Sequence, residues 1–386
     1  MQKNKLSSSK LKEYYEGFES INFTSNPNLI FKENIINNFH NDYWIFDNYD
    51  IYYLESQNKN YKFDVFIVYP CSNNDNINIL RIHDKKLITS LEGHESTVDI
   101  VKHFYDDSNK KRYLLSSDYS KLVIVWDITK YYNKINKIYT EYTQYITSLL
   151  IIFEKNYVIT STDGTSENDL IKIYSLNNGK LLSSIHDTNK NETRYLLKWY
   201  YNNNYYLIRL CHLKILIYDL SFSKIYKILP VKLLSSVERY FYSGFVTNDN
   251  KYLYTCSNKG GIYIYNLLNN TLIYCFMIKK TYSFKIALWS SFFYNFCNNN
   301  DKKIKTINNY ILVSDNYKKG FICVNITFDR IIKDNQENDF NFKYKINTIY
   351  KNGKNIKCFK KIIHPIYGEC LLCSGDNSNI DLWINK

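Results

Sequence analysis

Short apolar runs broken by polar turns recur along the whole chain, and seven of them end in the same way. The clearest is Leu122-Val123-Ile124-Val125-Trp126-Asp127. Its counterparts end at His83-Asp84, Tyr174-Ser175, Tyr218-Asp219, Tyr265-Asn266, Val324-Asn325 and Trp383-Ile384. Subtracting the residue numbers of the markers His83, Trp126, Tyr174, Tyr218, Tyr265, Val324 and Trp383 gives intervals of 43, 48, 44, 47, 59 and 59 residues. Between markers the pattern resolves into four strands. In the fifth repeat these are Tyr240 to Val246, Tyr252 to Ser257, Ile262 to Leu267 and Thr271 to Ile278, separated by Asn-, Asp- and Gly-bearing turns. First strands read as continuous apolar runs rather than alternating ones, as strands buried on both faces do.

A period of about 40–45 residues with four strands per repeat marks an all-β, seven-bladed β-propeller, one blade per repeat. The last marker, in Asp381-Leu382-Trp383-Ile384, lies almost at Lys386, so the seventh blade lacks a fourth strand of its own. The segment near Leu29–Ile36 is expected to supply it, because closure removes the unpaired edge of an open ring. Residues 1–27 then read as a polar N-terminal arm and 28–386 as one propeller. Its blades fall near 43–94, 95–140, 141–186, 187–230, 231–279, 280–350 and 351–386 plus 28–37. The longer sixth interval is assigned to two polar loops, Asn295 to Asn309 and Asp329 to Asp339.

Composition changes this picture little. A net charge of +13 invites a nucleic-acid reading, but Lys outnumbers Arg by 44 to 6 alongside much Asn, Ile and Tyr. That joint bias fits an AT-rich coding sequence, whereas phosphate and guanine readers favour the Arg fork. The first twenty residues lack the apolar core of a secretory signal, and no run approaches the roughly 18 apolar residues of a membrane span. Nine irregularly spaced cysteines read as buried thiols of an intracellular protein, cytoplasmic or nuclear.

The second repeat carries more. Gly93-His94 precedes its first strand, Leu114-Leu115-Ser116-Ser117-Asp118 forms its second, and Trp126-Asp127 closes its third. In these residues the chain resembles the WD-repeat family over about residues 28–386. The resemblance implies a structural staple of His94, Ser116 or Ser117, Asp118 and Trp126, hydrogen-bonded to one another. Asp118 stands about two residues further from Trp126 than the family's usual turn allows, which leaves the staple open to being incomplete. The resemblance also implies a non-catalytic scaffold for protein–protein interaction within a multiprotein assembly. Trp126-Asp127-Ile128-Thr129 departs from the Trp-Asp-x-Arg/Lys of cullin-ligase substrate receptors, and no Arg-Arg pair matches the phosphoinositide-binding propellers.

Little else points to catalysis. His94 reads as a staple residue before a catalyst. Cys370-Leu371-Leu372-Cys373 has redox and zinc spacing, but on a strand its two thiols point to opposite faces and no second pair completes a metal site. Gly260-Gly261 precedes a strand rather than a helix, so it is a turn and not a phosphate cradle. No enzymatic activity, cofactor or metal is therefore expected. Charge placement is more informative. Turns between second and third strands share a face with the links between blades. That face should carry Lys259, Lys279, Lys280, Lys318, Lys319, Lys351, Lys354 and Lys357 on one side. On the other it should carry Asp163, Glu167, Asp169, Asp187 and Glu192. Such a two-signed face would orient protein partners. The alternatives are RNA or another acidic partner on the Lys-rich side, or an anionic membrane surface. A closed ring has no need of a second copy, so a monomer is expected outside its complex.

Overall fold

The computed structural model describes residues 23, 26–37, 39, 48–163, 169–186, 192–221, 224–236, 238, 240–278, 283, 285–297, 303–316, 319–333, 336–351, 353–376 and 378–386. They form seven four-stranded antiparallel sheets, a seven-bladed β-propeller. Blade two shows the plan: Val98–Asp106 innermost, then Lys111–Asp118, Leu122–Asp127 and Asn133–Tyr139 outermost. Leu122 to Trp126 are all buried, because a middle strand packs on a neighbouring blade through both faces. Innermost strands of consecutive blades lie against one another, and that of blade seven returns to blade one.

Closure follows the sequence reading. Leu29–Ile36 pairs antiparallel with Ile380–Asn385, from Leu29 opposite Asn385 to Ile36 opposite Ile380. Blade seven is thus built from both ends of the chain. The seam to blade one is polar as well as apolar. Asp50 takes the Lys360 ammonium at 2.9 Å and the His103 amide at 2.8 Å, tying blades seven, one and two. Tyr53 is a further anchor: its hydroxyl accepts the Ile363 N–H at 3.1 Å.

One irregularity repeats in every blade. Opposite the third-strand marker, the outermost strand gains one residue. The register runs Val125↔Asn136 then Trp126↔Lys134, and the same step occurs at Tyr174, Tyr218, Tyr265, Val324 and Trp383. In blade one the step falls at Leu80, between Ile79↔Thr89 and Leu80↔Leu87. The first marker is therefore Leu80 and not His83, which sits in the following turn. A bulge of this kind bends and twists a strand, and here it is a fixed property of the blade.

Two further expectations are corrected. The extra length of blade six is not two loops but longer strands, Ile286–Cys297, Lys303–Asp315, Gly320–Lys333 and Gln336–Lys351, paired far beyond the other blades. Within the polar arm, Phe23 is buried, its ring edge-on to Trp289 at 4.4 Å and its amide bonded to the Trp289 carbonyl. Trimming through Ser25 should therefore cost about 3 kcal/mol, the price of an emptied aromatic site, yet leave a folded ring. Trimming through Ile45 removes the closing strand, and cooperative melting in circular dichroism should be lost. Equal melting of the two truncations would refute the closure role.

Candidate functional site

The face carrying the inter-blade links is built from the starts of the innermost strands. In blades two, three, four, five and seven those strands carry a second bulge, between Val98/Ile100, Ile146/Ser148, Thr193/Tyr195, Phe241/Ser243 and Ile356/Cys358. The inserted residues are Asp99, Thr147, Arg194, Tyr242 and Lys357. Bulges re-aim side chains, and each of these five stands second in its innermost strand. Asp99 accepts the Ser117 hydroxyl at 2.6 Å. Arg194 lies over the rings of Tyr240 and Tyr242 at 4.9 and 5.7 Å, pairs with Glu192, and stands 3.8 Å from Asp163. Burial raises the Asp163 carboxyl against the opposing pull of Arg194.

The staple of blade two is complete. His94 Nδ1 lies 2.8 Å from Asp118 Oδ2 and Nε2 lies 2.6 Å from Ser116 Oγ, which also accepts Trp126 Nε1–H at 2.8 Å. Ser117 is outside it, bound to Asp99. The long spacing to Trp126 is absorbed by the turn, where Asp118 Oδ1 accepts Ser120 Oγ–H and the Leu122 amide and Lys121 takes a left-handed φ of 66°. Burial pushes the Asp118 carboxyl up, but the bonds from His94 and Ser120 outweigh it and hold the group below its ordinary value.

Other blades fasten the same corner with different chemistry, which sequence inspection missed. In blade three Tyr142, four residues before its first strand as His94 is before Val98, meets Thr160 Oγ1 at 3.1 Å. In blade four Arg209, fully buried, donates to Thr193 Oγ1 at 2.8 Å and to the Tyr218 hydroxyl at 3.1 Å. In blade five the Glu238 carboxylate accepts Ser257 Oγ–H, Tyr263 O–H and two backbone amides. Gly261 makes room for it: a Cβ there would stand 2.1 Å from Glu238 Oε1. In blade seven Lys354 pairs with Asp381 at 2.5 Å. The available signal in blades three, five and seven was a polar residue shortly before the first strand, Tyr142, Glu238 and Lys354, whereas Arg209 lies within a second strand and gave no such cue.

These clasps consume part of the two-signed face. Lys354 and Lys357 are buried, so they are not a docking surface. Lys319 and Lys351 are exposed and Lys259 is half-buried. Asp163 and Glu192 are engaged by Arg194, and Asp169 begins the strand Asp169–Ser175. Lys279, Lys280, Lys318, Glu167 and Asp187 lie outside the described residues.

The remaining titratable candidates sit in packed surroundings. Burial pushes the Cys370 thiol up to about 12 and Cys373 well up. Burial lowers His364 to about 4 and His103 well below its ordinary value. Lys361 is lowered by burial to about 7, beneath the Phe23 ring at 5.0 Å and donating to the Trp289 carbonyl. No group of three or more metal-ligating side chains occurs among the described residues, and no described helix is long and apolar enough to cross a membrane. No protein-family model matches the chain, and no curated protein is significantly similar to it.

Ser116→Ala strips partners from both His94 Nε2 and Trp126 Nε1, so it should cost about 2–4 kcal/mol in urea unfolding, at roughly 1–3 per orphaned group. Ser117→Ala should cost clearly less, and the reverse order would exclude the staple. With pH, neutral His103 and His364 stabilise fully above their ordinary value of 6.5, and this is lost as pH falls, toward about 4 for His364, because the unfolded chain takes up protons first. Asp118 acts lower: its contribution is present above 3.8 and lost as pH falls through its depressed value. His103→Gln with His364→Gln should flatten the upper window, and Asp118→Asn the lower one, in unfolding titrations against pH.

Proposed function

We propose that this chain is a diverged WD-repeat propeller acting as a non-catalytic scaffold for protein–protein interaction within a multiprotein assembly. The observation that carries the reading is the fate of its chemistry-bearing side chains. Both ring nitrogens of His94 are committed to Asp118 and Ser116, and Glu238 and Lys354, in the links before their blades, are committed to Ser257 and Asp381. Such groups hold a shape rather than wait for a substrate. Family membership is supported by the joined quartet of His94, Ser116, Asp118 and Trp126 in the residues that resemble the family. Exposed Lys319 and Lys351 of blade six, with half-buried Lys259 in the corresponding turn of blade five, favour partners that present carboxylates at this face.

Affinity purification of the tagged protein at native abundance, at low and at moderate salt, tests this. A fixed protein set that survives moderate salt is expected. Substituting Lys259, Lys319 and Lys351 together by Glu should deplete that set without lowering the melting temperature. Recovery dominated by RNA and lost as salt rises would replace the scaffold reading with an RNA-associated one.

A further inference from the structure

Between blades six and seven, at the rim of the face with the links, lies a cleft of about 480 Å³ lined by Phe31, Asn34, Lys351, Lys354, Asn379, Asp381 and Trp383. One wall is apolar. Phe31 is 48% exposed and stands edge-on to the buried Trp383 at 5.8 Å. The floor is the Lys354–Asp381 pair, which is neutral as a unit. The rim holds one exposed ammonium, Lys351, at the end of the outermost strand of blade six. A half-exposed aromatic ring is costly to leave in water, and a cation beside it selects an occupant with an apolar group next to negative charge.

Strand order identifies the kind of occupant. Phe31 and Asn34 come from Leu29–Ile36, the last strand of its sheet, and Lys351 is the end of Gln336–Lys351, the last strand of the neighbouring one. An outermost strand offers backbone N–H and C=O groups along its open edge, which an extended chain uses and a small acid does not. We propose that this cleft receives an apolar, preferably aromatic, side chain from an extended acidic segment of a partner protein. Lys351 pairs with a carboxylate beside it, and Phe31 and Trp383 cover the apolar group. The inference rests on the scaffold reading and gives it a partner class.

The test is fluorescence polarisation with a fluorescein-labelled synthetic peptide, Asp-Glu-Phe-Asp-Asp, on the full chain. Saturable binding is expected, weakened at least about tenfold by Lys351→Glu and by replacing the peptide's Phe with Ala, as for an anchor residue. Phe31→Ala should weaken it as well. Lys351→Glu changes an exposed side chain, so its melting curve should overlay the parent's and separate lost binding from lost folding, whereas Phe31→Ala also uncovers Trp383 and is assayed well below its melting transition. A peptide with Lys in place of its acidic residues should bind Lys351→Glu better than the parent. Absence of saturable binding, equal binding of the Ala peptide, indifference to Lys351→Glu, or competition by phenylacetate at the peptide's own affinity would each overturn the proposal. None of these results bears on whether a salt-resistant protein set co-purifies, so the cleft can fail while the scaffold stands.

Discussion

The pairing of Leu29–Ile36 with Ile380–Asn385 is the constraint on which the rest of the molecule depends. Each blade buries its two faces only against its neighbours, so an open ring would leave two blades half exposed. Without that strand, Trp383 loses the cover of Phe31, and Ile380–Asn385 loses the partner along its outer side. The closed ring then sets its own seam. Asp50 can bridge Lys360 and the His103 amide only because blades seven, one and two are brought side by side. The same closure places Phe31 opposite the end of blade six and so creates the cleft there.

A second theme is geometry held by changing chemistry. The corner where a link enters its blade is buried, and buried polar atoms must be paired. Blade two meets this with His94, Ser116, Asp118 and Trp126, blade three with Tyr142 and Thr160, blade four with Arg209, and blade five with Glu238. The bulges are more uniform than the residues: every outermost strand gains one residue opposite its marker. Backbone shape repeats more faithfully than side-chain identity: among the described residues the joined His, Ser, Asp and Trp occur in blade two, while other blades fasten the corner differently.

That contrast explains what could be read from the chain. Strands of blade five were legible almost to the residue, because apolar runs and Asn- or Gly-bearing turns bound them. Closure was legible from a third-strand signature lying almost at Lys386. Leu80 was missed as a marker because a leucine carries no aromatic or polar cue, whereas His83-Asp84 imitates one; only register distinguishes them. The extension of blade six was misread because Lys303-Ile304-Lys305-Thr306-Ile307-Asn308-Asn309 is polar enough to pass for a loop, yet it pairs on both sides. Lys354 and Lys357 looked like surface charge because burial of a lysine depends on distant partners such as Asp381. Ser116 and Ser117 were inseparable because adjacent strand residues differ only in the face they present.

Native-state hydrogen exchange of the backbone amides tests the central claim most directly. If strand pairing at the chain ends holds the whole ring, the amides of Leu29–Ile36 and Ile380–Asn385 that are hydrogen-bonded in their shared ladder exchange only through global unfolding, with the same free energy as the middle strand of blade four, Lys214–Asp219. Exchange of the closing strand through a local opening of much lower free energy, while blades two to five remain protected, would contradict it.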